Sequence, residues 1–305
     1  MGPELFRLHA RIERHHWWFA GRRRVLRALG EAVLPADGGR VLDVGCGTGA
    51  NVAAFAGRHE AVGIDPSAEG VRLARERFPD ARFLEGTVPG AGDAEAAAAD
   101  LVLLTDVIEH VPDDFLLVSG ILALMPAGSH LLVTVPAHPD LWSVHDVTFG
   151  HYRRYSADRL RALWRGLPVA ERLVSHYNAR LFPLIRLVRR VGARLGRAAG
   201  REGTDLRVPP APANRILTDI FGGEAGPLVA AVRDGPASDG DAAGNGLPGG
   251  RASGAAAPPY SDGLSLIALL RREAGEIAPR PRGPDVPPDV HGPPIDRPTP
   301  PDPGS

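Results

Sequence analysis

Short apolar runs alternate with helix-like segments through the first half of the chain. Five of these runs predict strands, at 40–44, 60–65, 81–86, 100–107 and 130–136. Segments with apolar residues at helical spacing separate them, at about 48–57, 67–78 and 113–125. Because strands joined by crossover helices pair in parallel, the pattern predicts an α/β fold, a parallel sheet with helices on both faces.

The pattern changes outside this region. Residues 1–35 have a helical pattern with aromatic and basic clusters, and 137–155 are rich in His, Trp, Tyr and Arg. Further on, the pattern predicts a helix at about 156–166, a strand at 169–178, a basic amphipathic helix at 181–198 and a short helix at 213–222. The Gly/Ala/Asp/Pro-rich stretch 223–259 predicts a flexible loop, and the tail from 278 predicts disorder. The apolar run 263–272 predicts a late strand that is the hairpin partner of 169–178.

Composition narrows the classes of function. The 305 residues carry a formal net charge of −1, so the whole chain has no electrostatic attraction to nucleic acid or to an anionic membrane. All 35 basic residues are arginine, which excludes lysine-dependent mechanisms such as that of the Tyr-x-x-x-Lys reductases. Cys46 is the single cysteine, which excludes internal disulfides and multi-cysteine zinc sites. No apolar run approaches the ~20 residues of a spanning helix, and we expect a cytoplasmic protein.

A glycine-rich turn follows the first predicted strand directly. Gly45, Gly47 and Ala50 match the dinucleotide fingerprint G-x-G-x-x-G/A, whereas Asp43 begins a second pattern, D-x-G-x-G-x-G. Asp65 ends the second strand, where a carboxylate can accept both ribose hydroxyls of an adenosine. These residues leave two ligands open, a pyrophosphate dinucleotide and S-adenosylmethionine (SAM). The carboxylate at 43, the polar run TDVIEH after the fourth strand and the late C-terminal strand favour SAM.

Four motifs stand in order along the chain: VLDVGCGTG (41–49), VGIDPS (62–67), DLVLLTDVIEHV (100–111) and LLVTVP (131–136). Together they resemble the class I SAM-dependent methyltransferases of the type-11 kind, in the branch that includes quinone-biosynthetic O-methyltransferases. The resemblance covers about 36–178 and 262–272. It implies SAM as cofactor and a Rossmann-like sheet of seven strands, mostly parallel, with an antiparallel C-terminal strand.

Carried over motif by motif, the resemblance implies a set of residues in contact with SAM. They are Asp43, Gly45, Cys46, Gly47 and Gly49 at the methionine end, Asp65 at the ribose with Pro66 or Ser67 beside the adenine, and Thr105, Asp106 and Val107 at the sulfonium. One position departs from the family, which has Gly-Asp after the third strand where this chain has Gly86-Thr87. We expect Thr87 itself, or a backbone carbonyl, to contact the adenine instead.

Methyl transfer to a hydroxyl needs a base. Candidates are Glu109 and His110 after the fourth strand, and His145 and His151 in the insert after the fifth; an imidazole titrates near neutrality. The insert and the N-terminal RHHWWFAGRRR also resemble a subfamily of this methyltransferase group. We expect the substrate to contact Trp17, Trp18, His138, Trp142, Asp146, Arg153, Arg154 and Tyr155.

Each of these expectations has a structural alternative. The tryptophans suit a lid packed on the core, and Arg153 and Arg154 suit pairing with surface carboxylates as well as with an anionic group of the substrate. His145, Asp146 and His151 could hold a divalent metal with Glu109, but their spacing matches no metal motif and we assign no metal.

The sequence divides into segments of different character. They are a helical lid (1–35), a SAM-binding core (36–178), a helical extension (179–222), a flexible loop (223–259), a strand that completes the core sheet (260–273) and a disordered Pro-rich tail (278–305). We expect a SAM-dependent methyltransferase that acts on an oxygen of a small or lipid-linked acceptor. The alternatives are a catalytically inactive SAM-binding protein and an NAD(P)-dependent oxidoreductase. Neither nucleic acid nor an obligate protein partner is indicated, and the helix at 181–198 predicts peripheral contact with a membrane.

Overall fold

The computed structural model describes residues 2–194, 208–234 and 258–283. Within them the chain forms seven strands: β1 Arg40–Val44, β2 Glu60–Asp65, β3 Arg82–Glu85, β4 Leu101–Thr105, β5 His130–Pro136, β6 Val169–Tyr177 and β7 Ser265–Arg272. The helices are α1 Pro3–Ile12, α2 Trp17–Glu31, α3 Ala50–Ala53, α4 Ala68–Arg77, α5 Asp93–Ala98, α6 Asp114–Leu124, α7 Val144–Thr148, α8 Ala157–Ala162, α9 Phe182–Arg194, α10 Ala211–Gly222 and α11 Ala225–Asp234.

The seven strands form one sheet in the order β3-β2-β1-β4-β5-β7-β6. Strands β1 to β5 pair in parallel, whereas β7 pairs antiparallel with both β5 and β6. This topology confirms the predicted fold class, including the late antiparallel strand and its pairing with β6. The carboxyl ends of β1, β2 and β4 therefore meet at one edge, where ligands of open α/β sheets bind.

The core consists of two apolar layers on the two faces of the sheet. In β4, whose five residues are all buried, Leu101 and Leu103 face the layer that contains α2. Val102 and Leu104 face the opposite layer, which contains α6. A fully buried leucine or valine contributes roughly 1.5–3 kcal/mol, so the central strand anchors both layers.

Side-chain caps begin α4 and α6, the helices that follow β2 and β4. The Asp113 Oδ1 atom accepts a hydrogen bond from the Leu116 N–H (2.9 Å) at the start of α6, and the Ser67 Oγ atom accepts one from the Gly70 N–H (3.2 Å) at the start of α4. These caps satisfy N–H groups that the helix leaves unpaired. They place both helix N-termini at the carboxyl edge of the sheet.

The N-terminal segment is two helices rather than one, because the chain turns at His16. The His16 Nδ1 atom accepts a hydrogen bond from the Trp18 N–H (3.2 Å) and so caps α2. Helix α2 packs against α10 and α11. Gly21 allows the closest approach, since a Cβ at this position would lie 2.6 Å from the Phe221 ring.

Residues 225–234 form helix α11, which corrects the prediction of a flexible loop over the whole of 223–259. Leu228 and Val232 lie one turn apart and are buried in the layer that contains α2. Two well-spaced apolar side chains therefore outweigh the Ala/Gly-rich composition. The remainder of the predicted loop, 235–257, lies outside the described residues.

The start of the predicted disordered tail is also held to the core. Ile277 is buried, and the backbone N–H of Arg280 donates to the Ser119 Oγ atom (2.8 Å). Residues 278–283 therefore belong to the described structure rather than to the predicted disordered tail. Residues 284–305 lie outside the described part of the chain.

Helix α9 is the described part of the predicted amphipathic helix, of which 195–198 lie outside the described residues. Its apolar side chains Leu184, Leu187 and Val188 are 56%, 58% and 61% exposed. Phe182 is buried and Ile185 packs against the core, whereas these three apolar side chains face solvent. None of the helices in the described ranges is long and apolar enough to cross a membrane.

Candidate active site

Three glycines in the left-handed region form the turn between β1 and α3. Gly45, Gly47 and Gly49 have φ angles of +74°, +54° and +86°. A Cβ on Gly45 would lie 2.6 Å from the Cγ2 atom of Val107, so the turn approaches the end of β4 more closely than a larger residue allows. Cys46 is buried, and this burial raises the pKa of its thiol, as suits a packing residue.

Asp43 is a fully buried carboxylate directly before the glycine turn. Burial raises its pKa to about 7, although the Arg22 charge and the nearby Val52 N–H act in the opposite direction. Neither carboxylate oxygen makes a hydrogen bond of normal geometry with any described residue. Since an unsatisfied buried polar group is costly, this position fits a ligand that brings a cation or a hydrogen-bond donor.

Asp65 ends β2 on the other side of the turn. Its Oδ2 atom accepts a hydrogen bond from the Gly47 N–H, and its Oδ1 atom accepts one from the Ser67 N–H, both at 2.8 Å. Burial raises its pKa. Each oxygen keeps further acceptor capacity, so Asp65 can hold the turn and accept hydroxyl donors at the same time.

Two predicted adenine contacts lie towards β3. Pro66 is exposed beside Asp65. Thr87 is exposed as well, and its hydroxyl donates to the Pro89 carbonyl (2.9 Å) within its own turn. A hydroxyl that donates one hydrogen bond keeps its acceptor capacity, so Thr87 and the backbone carbonyl both stay predicted contacts of the adenine.

The polar run after β4 faces the glycine turn. The Thr105 Oγ1 atom accepts a hydrogen bond from the Asn51 amide (3.1 Å) on α3. Asp106 has a φ of +55°, which is rare for a residue other than glycine, and its carboxylate pairs with the Arg22 guanidinium. The predicted sulfonium-flanking residues Thr105, Asp106 and Val107 thus lie together with the predicted methionine-end residues.

Helices α1 and α2 cover this edge of the sheet as a lid. The Arg22 guanidinium lies 4.4 Å from the centre of the Trp18 ring and binds Asp106, which joins α2 to β4. On the other side of the lid, Glu13 accepts a hydrogen bond from the Thr48 hydroxyl (2.7 Å) of the glycine turn. The two contacts tie both ends of the lid to the predicted cofactor-binding residues.

The two lid tryptophans differ in their surroundings. Trp18 contacts Arg22 and so borders the site. Trp17 instead packs against Phe221 of α10, with ring centres 6.2 Å apart, and its backbone N–H donates to the Asn214 side chain (2.9 Å). The packing alternative therefore describes Trp17, while Trp18 stays a candidate for substrate contact.

Three of the four candidate bases lie together. Glu109 is fully buried, and one potential metal-ligating atom each from Glu109, His110 and His151 lie within 4.8 Å of one another. Burial, with His151 next, lowers the pKa of His110 to about 3, so this imidazole stays neutral. Burial, with Asp106 next, raises the pKa of Glu109 well above its usual range. The fourth candidate, His145, packs against Phe149 with ring centres 4.4 Å apart.

His151 differs from its neighbours because a carboxylate orients it. Its Nδ1 atom lies 2.9 Å from the Asp146 Oδ1 atom, and the Arg154 guanidinium holds the same carboxylate through Nε (2.8 Å) and Nη2 (3.0 Å). Burial alone would raise the pKa of Asp146, but the bonds from His151 and Arg154 bring it well below its usual range. With Nδ1 engaged, the Nε2 atom of His151 is the one free to exchange a proton.

Several predicted substrate residues instead hold the insert after β5 in place. Arg153 is buried and donates to the backbone carbonyls of Val111 and Pro112, each at 2.7 Å. The Tyr155 hydroxyl is fully buried and donates to Asp114 (2.8 Å). Arg154 and Asp146 bind each other, as described above. These four side chains have internal partners and support the insert, and their contact with a substrate stays a prediction.

His138 belongs to a separate group of polar side chains. Its Nε2 atom lies 2.8 Å from Asp262, its ring stacks on Phe182 at 5.0 Å, and His176 completes a set of three residues able to ligate a metal ion. No other residue of the predicted substrate set belongs to this group.

Trp142, half-buried, follows the turn at Pro139–Leu141 in the insert.

Sequence reasoning missed a row of buried polar residues beside Asp106. Arg22 comes from the lid, Thr134 from β5, and Tyr177 and Asn178 from the end of β6. The Arg22 Nε atom, the Thr134 and Tyr177 hydroxyls and both amide atoms of Asn178 are buried without a normal hydrogen bond. Tyr177 and Asn178 close the predicted strand 169–178 and so gave a local signal, whereas Arg22 lies on a helix and Thr134 lies inside β5.

Two curated methyltransferases are similar to part of this chain. A trans-aconitate 2-methyltransferase from Afipia carboxidovorans is 32% identical over 122 residues, which are 39% of this chain and 47% of that protein. A ubiquinone biosynthesis O-methyltransferase from Paracidovorax citrulli is 30% identical over 128 residues, 37% of this chain and 54% of that protein. The chain thus spans about half the length of these relatives.

Among solved structures, the magnesium protoporphyrin IX methyltransferase of Synechocystis PCC 6803 matches with a TM-score of 0.39 and 18% identity, over 50% of this chain and 72% of that one. A family model described as a methyltransferase domain matches residues 15–194. This match covers more than half of the chain and includes the glycine turn, the polar run after β4 and the insert. The chain therefore belongs to the class I SAM-dependent methyltransferases, which confirms the resemblance found in its motifs.

Proposed function

We propose that the protein transfers a methyl group from SAM to an oxygen of a small or lipid-linked acceptor. The pair of buried carboxylates around the glycine turn carries this proposal. Asp43 has two buried oxygens without partners, which suits an ammonium group, and Asp65 suits ribose hydroxyls. A pyrophosphate beside Asp43 would bury like charges together, which disfavours a dinucleotide.

When bound, SAM would supply a methyl group on a positively charged sulfur. In the transfer, the acceptor oxygen would form a bond to the methyl carbon while the carbon–sulfur bond breaks and its electron pair goes to sulfur. The acceptor proton would go to a base. The chain's own tasks are to orient the acceptor, exclude water and take that proton. The lid suits the exclusion of water, since Arg22 and Glu13 tie it to both sides of the site.

His151 is the base in this proposal. Asp146 holds its Nδ1 atom, which leaves Nε2 to take the proton, and the imidazole lies beside Glu109 and His110. His110, whose pKa lies near 3, is too weak a base at neutral pH. Arg154 fixes Asp146 in turn, so a chain of three buried groups orients one imidazole.

The acceptor class draws on two observations. The relatives are named for methylation of trans-aconitate and for an O-methylation in ubiquinone biosynthesis. Helix α9 exposes Leu184, Leu187 and Val188 with Arg186 beside them, as a helix at a membrane interface does. We include peripheral membrane contact of a cytoplasmic protein in the proposal, since it would bring the site to a lipid-linked acceptor.

Thermal unfolding with S-adenosylhomocysteine (SAH), NAD or NADP at saturating concentration tests the cofactor. A ligand held at 100 times its Kd stabilises the native state by about 2.7 kcal/mol, so we expect a raised Tm with SAH alone and a lost shift in Asp65→Ala. A shift with NAD and none with SAH would mean an oxidoreductase-type ligand and would overturn the proposal.

Transfer of tritium from [methyl-³H]SAM to a panel of phenols, carboxylic acids and polyprenyl phenols tests the reaction. Loss of a positioned base costs about 10²–10⁴-fold in rate, so we expect that fall in kcat for His151→Gln with an unchanged Kd for SAH. His15→Gln, an exposed imidazole on the lid, is the control. SAH binding with no transfer to any acceptor would favour the catalytically inactive alternative.

Co-sedimentation with anionic liposomes tests the membrane contact. We expect the double variant Leu184→Ser/Leu187→Ser to lose association that wild type shows. Ile216→Ser is the matched control, because Ile216 is similarly exposed, at 59%, but lies on α10. Equal association of all three proteins would contradict the role of α9.

A further inference from the structure

Arg22 is a buried cation whose hydrogen-bonding capacity is only partly used. It is 7% exposed, and one of its terminal nitrogens binds Asp106. Its Nε atom is buried without a partner. A guanidinium presents five N–H donors in a planar fork. A buried arginine with an unpaired N–H donor can therefore bind a further hydrogen-bond acceptor.

The surroundings of Arg22 hold the fork in one orientation. The guanidinium lies 4.4 Å from the centre of the Trp18 ring and 5.8 Å from that of Phe19, both on the same helix. Stacking on aromatic rings fixes the plane of a guanidinium and leaves its edge available. The aromatic residues of the lid therefore orient Arg22, and Asp106 holds one end of it.

Arg153 and Arg154, which were expected to bind an anion, already use their guanidinium N–H groups within the protein. Arg153 donates to the carbonyls of Ile108, Val111 and Pro112, and Arg154 binds Asp146 through two nitrogens. The anion binding expected of Arg153 and Arg154 is therefore possible at Arg22 on the lid instead.

Buried polar side chains lie near Arg22. Tyr177 and Thr134 bring fully buried hydroxyls without normal hydrogen bonds, and the Arg22 charge is near enough to Tyr177 to lower its pKa against the larger rise caused by burial. Glu109 likewise feels the Arg22 charge. Arg22 thus lies in one buried polar cluster with Thr134, Tyr177 and the candidate base Glu109.

We infer that Arg22 binds a carboxylate of the methyl acceptor, so that the acceptor is an organic acid held by the lid. The inference rests on the proposed function, because it assigns this buried polar cluster to the binding of the acceptor. A carboxylate matches the guanidinium fork through two parallel hydrogen bonds. A phosphate monoester is a poorer match, since one guanidinium that already pairs with Asp106 would face two further negative charges.

Calorimetric titration of the SAH-loaded full chain tests this assignment. The probes are 3,4-dihydroxybenzoate and trans-aconitate, each beside its neutral methyl ester. We expect at least one acid to bind about tenfold or more tightly than its ester, a difference of about 1.4 kcal/mol. Arg22→Gln should remove this preference, and Arg27→Gln, an exposed arginine on the same helix, should keep it.

Arg22→Gln leaves Asp106 unpaired and could fail to fold, so Arg22→Lys is the second variant. It keeps a positive charge for Asp106 but lacks the planar guanidinium, so we expect an intermediate preference for the acid over its ester. The inference fails if no acid is preferred over its ester, or if the preference survives in a folded Arg22→Gln protein. SAH affinity, measured in the same titrations, separates the outcomes: wild type that does not bind SAH overturns the proposed function, while SAH binding without acid preference overturns only this inference.

Discussion

Gly45→Ala is the sharpest test of the glycine turn as a ligand cradle. Gly45 has a φ of +74°, and its added Cβ would lie 2.6 Å from the Cγ2 atom of Val107. The left-handed backbone costs an alanine about 1–2 kcal/mol, and forced overpacking costs about 1–3 kcal/mol. We therefore expect a loss of about 3 kcal/mol in the free energy of unfolding, or roughly 6–12 °C in Tm.

Gly57→Ala is the matched control for this prediction. Gly57 has a similar φ of +88°, but a Cβ there would meet no atom within 4 Å. It should therefore lose only the backbone part, about 1–2 kcal/mol. Urea unfolding gives both values, and calorimetry with SAH should show a loss of at least about tenfold in affinity for Gly45→Ala alone. Equal destabilisation of the two variants, or wild-type SAH affinity in Gly45→Ala, would refute the reasoning.

Three further predictions concern the insert and the lid. Asp146→Asn should destabilise the protein by about 3–5 kcal/mol in urea unfolding, because it leaves the buried Arg154 without its carboxylate; a loss below about 1 kcal/mol would mean that the pair behaves like a surface salt bridge. Tyr155→Phe should cost about 1–3 kcal/mol in the same assay, since Asp114 loses a buried donor. An unchanged value would show that the Arg159 guanidinium, which donates to both Asp114 oxygens (2.9 and 2.8 Å), is sufficient for that carboxylate. Burial, with the charges of Arg22 and His145, lowers the pKa of His9 to about 4 from 6.5. Between these two pH values the unfolded chain therefore binds more protons than the folded chain. The free energy of unfolding should fall as the pH drops through that window, by up to about 3 kcal/mol. Urea unfolding at pH 7 and pH 4.5 should show a smaller difference for His9→Gln than for wild type, and equal differences would exclude His9 as the cause.

The sheet was predictable because its strands are apolar runs separated by crossover helices. β4, with five buried residues, and β7, which returns as an apolar run after a Gly-rich stretch, carry their own signals. The carboxylates Asp43 and Asp65 were equally visible, since each stands at or near the end of a predicted strand. The local sequence pattern is sufficient to predict the burial and position of a residue where both follow from its place in a strand.

The remainder of the site depends on contacts between distant parts of the chain. Arg22 and Asp106 are 84 residues apart, and no local pattern pairs them. Arg153 and Arg154 have the residue types of an anion site, but whether a guanidinium faces a carbonyl or a ligand is decided by packing of the insert. Helix α11 was missed for the same reason, because Leu228 and Val232 form a helix only when α2 covers them.

The position of β7 also constrains how the protein can be made. β6 pairs with β7 alone in the sheet, and β7 itself lies between β5 and β6. During synthesis, residues 169–177 therefore have no strand partner until residues 265–272 have left the ribosome, and β5 presents an open edge during the same interval. At roughly 5–20 residues per second, that interval lasts several seconds, in which two unpaired strand edges are exposed to aggregation. Chaperone dependence of this chain should therefore centre on the delay between its sixth and seventh strands.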